Sequence, residues 1–324
     1  MLRRFSASNG AWAVVLVIVV AWVTGCASAK PAVQAPASSA PGSQAPASST
    51  ATVGYWPTLN GINAKLAADI RQLRSARTPT AVSSAVTAAE ADVYLDFFRL
   101  AGMSPPSVAQ AAHDALVGAL REFRGVLSST GSAADAYQVC AGSSALEMLS
   151  SSTGAAQLRA AEAQMATINP TTEAQAGSFL PSATPYTHRR LADGTLVKQP
   201  TSSGLGQLTV HNNNDQDTVV SLVPRGSDVA TMALYVRAKS SATTTGVADG
   251  AYQVYYTTGV DWDRSEHLFT RYCDFERLNK TIDFTATPQG NGVTGYTTEQ
   301  ITLHTIFAGN VTASRVPADK FPAS

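Results

Sequence analysis

The residues whose types and spacing best suit chemistry lie in the loop 261–266. Asp261, Asp263 and Ser265 offer oxygen ligands at alternate positions, as the opening of a calcium loop does. The later positions depart from that loop, because the sixth is glutamate instead of glycine and the twelfth is tyrosine instead of a bidentate glutamate. The sequence therefore predicts no metal site and favours a solvated hairpin loop with Trp262 folded onto a sheet.

Aromatic side chains near this loop indicate a second use. Tyr255, Tyr256 and Trp262 have flat faces for stacking and polar tips for hydrogen bonding, which suit a glycan- or peptide-binding surface. Together with the two carboxylates they define a candidate binding surface of Tyr255, Trp262, Asp261 and Asp263. Strand alternation must turn one of the two tyrosines toward the core, so the aromatic stripe is at least half structural.

The histidines and the familiar catalytic patterns do not indicate an enzyme. The five histidines have no metal-ligand spacing among themselves, and His113 beside Asp114 fits a partly exposed helix position as well as a catalytic one. The chain has no Gly-x-Ser-x-Gly, Ser-x-x-Lys, His-Glu-x-x-His, Cys-x-x-Cys or Walker pattern. We therefore predict no catalytic residue, no metal ligand and no diffusible cofactor.

The first 25 residues have the three-part organisation of a secretion signal. Two arginines form a basic start, residues 11–24 are apolar, and Gly25 and Cys26 close the segment with small side chains. The apolar core of about 14 residues is shorter than the roughly 20 that a membrane-spanning helix needs. A cleaved signal is thus favoured over a spanning helix.

The end of this segment, Val23-Thr24-Gly25-Cys26, resembles the bacterial lipoprotein lipobox, which usually reads Leu-Ala/Ser-Gly/Ala-Cys. The resemblance implies that the Cys26 thiol is thioether-linked to a diacylglycerol and that cleavage makes Cys26 the mature N-terminus. The implied partner is a membrane, held through acyl chains on Cys26, with the protein on its extracytoplasmic face. An uncleaved anchor and a coincidental cysteine are the alternatives.

Charge gives no case for nucleic acid as a partner. The chain has 23 basic and 23 acidic residues, and loss of Arg3 and Arg4 leaves 21 against 23. A balance so close to neutral does not attract a polyanion.

The remaining cysteines, Cys140 and Cys273, are candidates for a disulfide. In an oxidising compartment two such thiols are expected to pair, and the bridge would join two predicted domains across a loop of roughly 130 residues. Chain entropy puts the stabilisation from such a bridge at roughly 4 to 5 kcal/mol. The alternative is two buried free thiols.

Shifts in composition divide the chain into five parts. These are the signal 1–25, an Ala/Pro/Ser-rich disordered tether 26–54, a helical bundle 55–168, a proline-rich linker 169–204 and an antiparallel β-sandwich 205–324. We expect the linker to lie on one or both of its neighbours. The predicted fold class is therefore multidomain, α followed by β.

Apolar residues at three- and four-residue steps predict four or five helices. Thr78-Pro79 and Ser104-Pro105 are read as N-caps followed by proline in the first turn. A further helical segment is predicted over 133–149 and another over 155–168. The first three stripes are Leu59, Ile62, Leu66, Ile70, Leu73; Val82, Val86, Ala89, Val93, Phe97, Leu100; and Val108, Ala112, Leu116, Leu120, Phe123, Leu127.

After residue 204 the apolar period changes to two, which predicts seven to nine short strands. Phe269, Arg271, Cys273 and Phe275 are predicted to share one face of a strand. Clusters of asparagine, aspartate, glycine and proline mark the turns between strands.

The hairpin around Val247-Ala248-Asp249-Gly250-Ala251-Tyr252 resembles that of prealbumin-like modules, which include the carboxypeptidase-regulatory and collagen-adhesin B types. The likeness covers roughly a dozen residues and implies a fold, not an activity. More broadly, the C-terminal region is similar to a domain of uncharacterised bacterial lipoproteins and secreted proteins.

We expect a non-catalytic interaction or envelope-associated module whose partner is an envelope protein or a cell-wall polymer. One alternative is an envelope enzyme or processing factor, whose dispersed site would form a deep cleft lined by His, Asp or Glu at the boundary between the domains. The other is a small-ligand or metal carrier with a closed pocket inside the helices.

Overall fold

Five α-helices precede a set of mostly antiparallel strands, so the fold is mixed α and β. The computed structural model describes residues 50–169, 179–183, 185–304 and 312–322, and all of these belong to one compact unit, Ser48–Ser324. Cys26, the predicted signal and residues 26–49 of the predicted tether lie outside the described residues.

The first helix begins slightly before the position at which the sequence predicts ordered structure. We expected order from Tyr55, and the first helix begins five residues earlier. None of the described helices is long and apolar enough to cross a membrane. Their bounds are α1 Thr50–Arg74, α2 Pro79–Ala101, α3 Gln110–Asp135, α4 Gly142–Ser150 and α5 Thr153–Ile168.

The predicted apolar stripes form the helical core. Every residue of the three stripes is buried except Phe97, which is half-buried, and Val108, which is exposed. α2 packs against α1 and α3, and α3 also packs against α5. Because fully burying a leucine or valine contributes about 1.5 to 3 kcal/mol, these stripes account for the packing of α1, α2 and α3.

The two predicted N-caps had different outcomes. Thr78 caps α2, since its side chain accepts a hydrogen bond from the Ala81 backbone N–H. The prediction at Ser104-Pro105 was wrong, because residues 107–109 form a 3-10 turn and α3 starts only at Gln110. A second proline, Pro106, follows Pro105, and the residue before a proline disfavours helical backbone.

The carboxyl group of one buried helix residue, Glu162, lacks a hydrogen-bond partner among the described residues. Glu162 on α5 is almost fully buried, and neither of its carboxylate oxygens has a hydrogen-bond partner in the described chain. Burial raises the pKa of Glu162 to about 8, while the charge of Arg159 acts in the opposite direction. The carboxyl is therefore mostly neutral at pH 7.

The strands form three sheets within the described residues. A six-stranded sheet has the order β1-β4-β3-β6-β7-β11, a three-stranded sheet has the order β10-β2-β5, and β8 and β9 form a hairpin. The bounds are β1 Leu196–Lys198, β2 Gly206–Asn212, β3 Asp217–Pro224, β4 Met232–Val236, β5 Ser240–Val247, β6 Gly250–Asp263, β7 Leu268–Phe284, β8 Ala286–Gly290, β9 Val293–Tyr296, β10 Thr298–Leu303 and β11 Ala313–Arg315.

One strand pair differs from the predicted antiparallel arrangement. β10 runs parallel to β2, with Ile301 opposite Val210. Parallel neighbours need a long crossover, and the chain between β2 and β10 passes through both other sheets before returning. Residues of the six-stranded and three-stranded sheets share one apolar cluster, which includes Leu208, Val254 and Phe284.

β6 and β7 are neighbours in the six-stranded sheet and form a long antiparallel pair, which we call the ribbon and which contains a bulge. Between the pairs Thr258–Asp274 and Val260–Arg271, β7 advances three residues while β6 advances two. Tyr272 lies in this bulge and has a φ of 51°. The bulge falls between Arg271 and Cys273, yet Phe269, Cys273 and Phe275 share one apolar cluster, and Phe269 and Phe275 line the same cavity.

The described residues of the segment predicted as a linker contact both neighbouring regions. Leu180 is buried in the helical core, whereas Leu191 is buried against the six-stranded sheet. β1 lies within this segment and pairs with β4.

Candidate functional site

The connection between α3 and α4 joins the helical region to β7. The Cys140 backbone N–H donates to the Thr270 carbonyl at 2.8 Å, and the Cys273 N–H donates to the Tyr137 carbonyl at 3.1 Å. The Ser144 hydroxyl donates to the same Thr270 carbonyl at 2.6 Å. A disulfide links Cys140 and Cys273, whose Cα atoms are 6.2 Å apart. We call this set of contacts the seam.

Two tyrosines at the seam have left-handed backbone. Tyr137 has a φ of 58° and Tyr272 a φ of 51°. This conformation costs roughly 1 to 2 kcal/mol for a residue with a side chain, and such strain tends to collect at functional sites. Both tyrosines line the same cleft, which makes the cleft our candidate site.

The cleft has a volume of about 450 Å³ and lies between the end of α3, the ribbon and the loop that connects β2 to β3. We call it the polar cleft. Its lining combines aromatic, carboxylate, amide and basic side chains. They include Tyr137, Asn214, Asp215, Gln216, Tyr256, Tyr272, Asp274, Glu276, His304 and Arg315.

Hydrogen bonds and one ion pair fix the acidic groups of the polar cleft. The Tyr256 hydroxyl donates to Glu276, and burial, followed by this bond, raises the pKa of Tyr256. Arg315 Nη2 lies 3.2 Å from Asp274 Oδ2. Tyr272 is 51% exposed, so its ring is available to a ligand. The polar cleft can thus offer an aromatic face beside oriented acceptors.

The acidic loop predicted as part of a binding surface is instead an internal ion-pair network. Asp261 is 2% exposed and has a φ of 64°. Arg189 binds it with two side-chain bonds, from Nε to Oδ1 at 2.9 Å and from Nη2 to Oδ2 at 2.6 Å, and its own backbone N–H adds a third at 2.7 Å. Burial acts to raise the pKa of Asp261, but hydrogen bonds from Arg189 outweigh it and hold the pKa at about 2.

The other residues of the predicted surface are also used internally. Trp262 is 1% exposed and packs edge-on against Phe269 at 4.9 Å. Asp263 accepts bonds from Arg189 and from the Ser265 backbone. Tyr255 is half-buried, with its ring 5.8 Å from that of Phe321. Trp262 therefore lies on the sheet with no free face for a ligand, while Arg264 and Ser265 in the hairpin turn are exposed.

A second arginine of the same segment is held in a similar way. Arg190 Nε donates to Asp217 Oδ2 at 2.7 Å, and the Tyr235 hydroxyl donates to the same carboxylate. Hydrogen bonds from Arg190 and Tyr235 lower the pKa of Asp217 against the effect of burial. Two adjacent arginines thus fasten the segment that precedes β1 to the six-stranded sheet.

No family model, no curated protein and no solved structure matches this chain. The likenesses to the lipobox and to prealbumin-like modules therefore remain resemblances of short sequence stretches.

His113 and the possible metal ligands also have defined positions in the structure. His113 is buried, not partly exposed, and its Nδ1 lies 3.1 Å from the Tyr55 hydroxyl. It belongs to the helical core. In the described part of the chain, no group of three His, Cys, Asp or Glu side chains is arranged to hold a metal ion.

Sequence reasoning missed most of the polar cleft. Tyr272 and Glu276 were not singled out, and Tyr137 was assigned to a helix. The usable signal was the alternation of Asp274 and Glu276 along β7, which places two carboxylates on one face of a strand.

The Arg189 network predicts a large loss of stability in Arg189→Ala. Asp261 would keep its buried position without a guanidinium partner, so we expect the free energy of unfolding to fall by roughly 2 to 4 kcal/mol at pH 7. The range is below that of a fully buried pair because the guanidinium is partly exposed. Chemical denaturation measures the difference.

Arg264→Ala, which removes an exposed arginine from the same loop, is the matched control and should change stability by less than about 0.5 kcal/mol. The folded-state pKa of Asp261 is depressed, so its contribution is present above the unfolded value near 4 and is lost as pH falls through about 2. The gap between wild type and Arg189→Ala should narrow over that range. Equal stability of the two arginine variants would contradict the network.

Proposed function

We propose that this chain is a membrane-anchored extracytoplasmic lipoprotein that binds a cell-wall polymer or an envelope protein without catalysis. The lipobox-like residues ending at Cys26 support the anchor. The polar cleft supports the binding role, and it is the observation that carries the proposal. Residues 26–49 precede the first described helix and would hold the folded unit away from the membrane surface.

We further propose a helical bundle over 55–168 and a β-sandwich over 205–324. The short connections between α1, α2 and α3 favour antiparallel neighbours. The apolar cluster shared by the two larger sheets is the kind of core that a sandwich encloses. Residues 169–204 would connect these parts while lying against both.

The lining of the polar cleft favours a glycan as its ligand. The apolar faces of sugar rings stack on tyrosine. Their hydroxyl groups form hydrogen bonds with carboxylates and amides. Tyr272 supplies an exposed ring, and Glu276 and Asp274 supply oriented acceptors beside it. The strained backbone of Tyr272 is then explained as the means of presenting its ring to the cleft.

A second candidate function is an envelope enzyme, and one observation favours it. The polar cleft lies where the helical connection meets the strands, and Asp215, Asp274, Glu276 and His304 line it. Paired carboxylates can act as general acid and base on a glycosidic bond. Such a site would correspond to the dispersed site that the sequence left as an alternative.

The anchor predicts that Cys26→Ala moves the protein from the membrane fraction to the soluble fraction. A thioether-linked diacylglycerol requires the Cys26 thiol, and acyl chains contribute about 0.8 kcal/mol per buried methylene to membrane binding. Fractionation and metabolic labelling with a fatty-acid probe measure both effects. Retention of the unlabelled variant in the membrane would contradict lipidation.

The cleft predicts that Tyr272→Ala weakens binding to purified cell wall by about fivefold or more, because truncation of an aromatic hot spot costs about 1 kcal/mol or more. Cosedimentation with the insoluble polymer measures the affinity. Tyr296→Ala is the control, since Tyr296 is equally exposed, at 52%, but lies on β9 outside the cleft.

Equal binding by the two tyrosine variants, or no binding by the wild type, would contradict the glycan proposal. Release of soluble fragments from the polymer, abolished by Glu276→Gln, would instead establish the enzyme.

A further inference from the structure

The opposite face of the ribbon has a second, smaller cavity, which we call the aromatic pocket. Its volume of about 310 Å³ is at the lower end of the roughly 300 to 1,000 Å³ of small-molecule sites, so it fits a small ligand. Phe269, Phe275 and Phe321 form its apolar wall beside Cys140. The rings of Phe275 and Phe321 are 5.3 Å apart.

Two polar groups of the aromatic pocket have no hydrogen-bond partner within the described residues. They are the hydroxyl of Thr257, a residue that is 6% exposed, and the buried Oε2 of Glu266. Tyr256 and Thr258 line the polar cleft, so strand alternation turns Thr257 toward the aromatic pocket. A buried polar group left unpaired costs about 1 to 3 kcal/mol, and a ligand that pairs both groups would recover that cost.

A positive charge lies beside this carboxylate. Arg77 lines the pocket together with Glu266. Burial, and then the charge of Asp263, raise the pKa of Glu266, whereas the charge of Arg77 lowers it. α2 starts at the same point, where Thr78 caps it, and a helix N-terminus adds partial positive charge.

This arrangement matches one ligand class. An α-amino acid carries an ammonium and a carboxylate on the same carbon, and a protein binds them with an acidic and a basic side chain placed side by side. Glu266 and Thr257 suit the ammonium, and Arg77 suits the carboxylate. The three phenylalanines suit an apolar side chain.

We propose that the aromatic pocket binds a hydrophobic α-amino acid in this orientation. The site is separate from the polar cleft, because the ribbon divides the two cavities. The proposal stands whether or not the polar cleft binds a glycan.

Three ligands on the purified full-length chain test the proposal by isothermal titration calorimetry. They are L-phenylalanine, phenethylamine, which lacks the carboxylate, and 3-phenylpropanoate, which lacks the ammonium. We expect L-phenylalanine to bind at least about tenfold more tightly than either fragment, because each fragment leaves one charged group of the pocket unpaired. This comparison needs no variant, so it does not depend on the folding of a mutant.

Variants then assign each charge. Glu266→Gln should lower the affinity for L-phenylalanine by about tenfold or more and leave the affinity for 3-phenylpropanoate undiminished. Arg77→Ala should lower the affinity for L-phenylalanine by a similar factor and leave the affinity for phenethylamine undiminished. Glu122→Gln, an exposed α3 residue, is the control and should leave the affinity unchanged. Absence of L-phenylalanine binding at about 10 mM, equal affinity for the three ligands, or indifference to both substitutions would overturn the proposal.

Discussion

The seam between the α3–α4 connection and β7 is the constraint on which both cavities depend. Cys140 and Cys273 are 133 residues apart in sequence, and their disulfide holds one helical connection against the ribbon. In the chain-entropy model, closing a loop of that length stabilises the fold by roughly 4 to 5 kcal/mol. Hydrogen bonds from the backbone N–H groups of Cys140 and Cys273 also orient the helical connection against β7. The seam therefore sets where Tyr137 meets β7, and with it one wall of the polar cleft.

The ribbon of β6 and β7 gives the two cavities different chemistry. Alternation sends Tyr256 and Glu276 to one side and Thr257 and Phe275 to the other. The bulge at Tyr272 lies directly beside Cys273 and gives Tyr272 a left-handed backbone. Cys273 borders the polar cleft and Cys140 borders the aromatic pocket, so the same bond lies beside both.

Local patterns in the sequence were enough to predict the first three helices but not the residues that line the two cavities. The stripe from Leu59 to Leu73 could be read directly, because the helical period needs only neighbouring residues. The bulge at Tyr272 gave no signal, since tyrosine is not a typical left-handed residue. Arg189 looked like a linker charge, because its partner Asp261 is 72 residues away in sequence. Tertiary packing decides the partners of such residues, and the apolar period of a single helix or strand carries no information about it.

Non-reducing peptide mapping of the folded protein tests the seam most directly. Proteolysis without reductant, with free thiols blocked beforehand, should recover the peptides that contain Cys140 and Cys273 as one linked species. Addition of reductant should separate that species into its two parts. Recovery of both cysteines as alkylated, unlinked peptides from the folded chain would contradict the account.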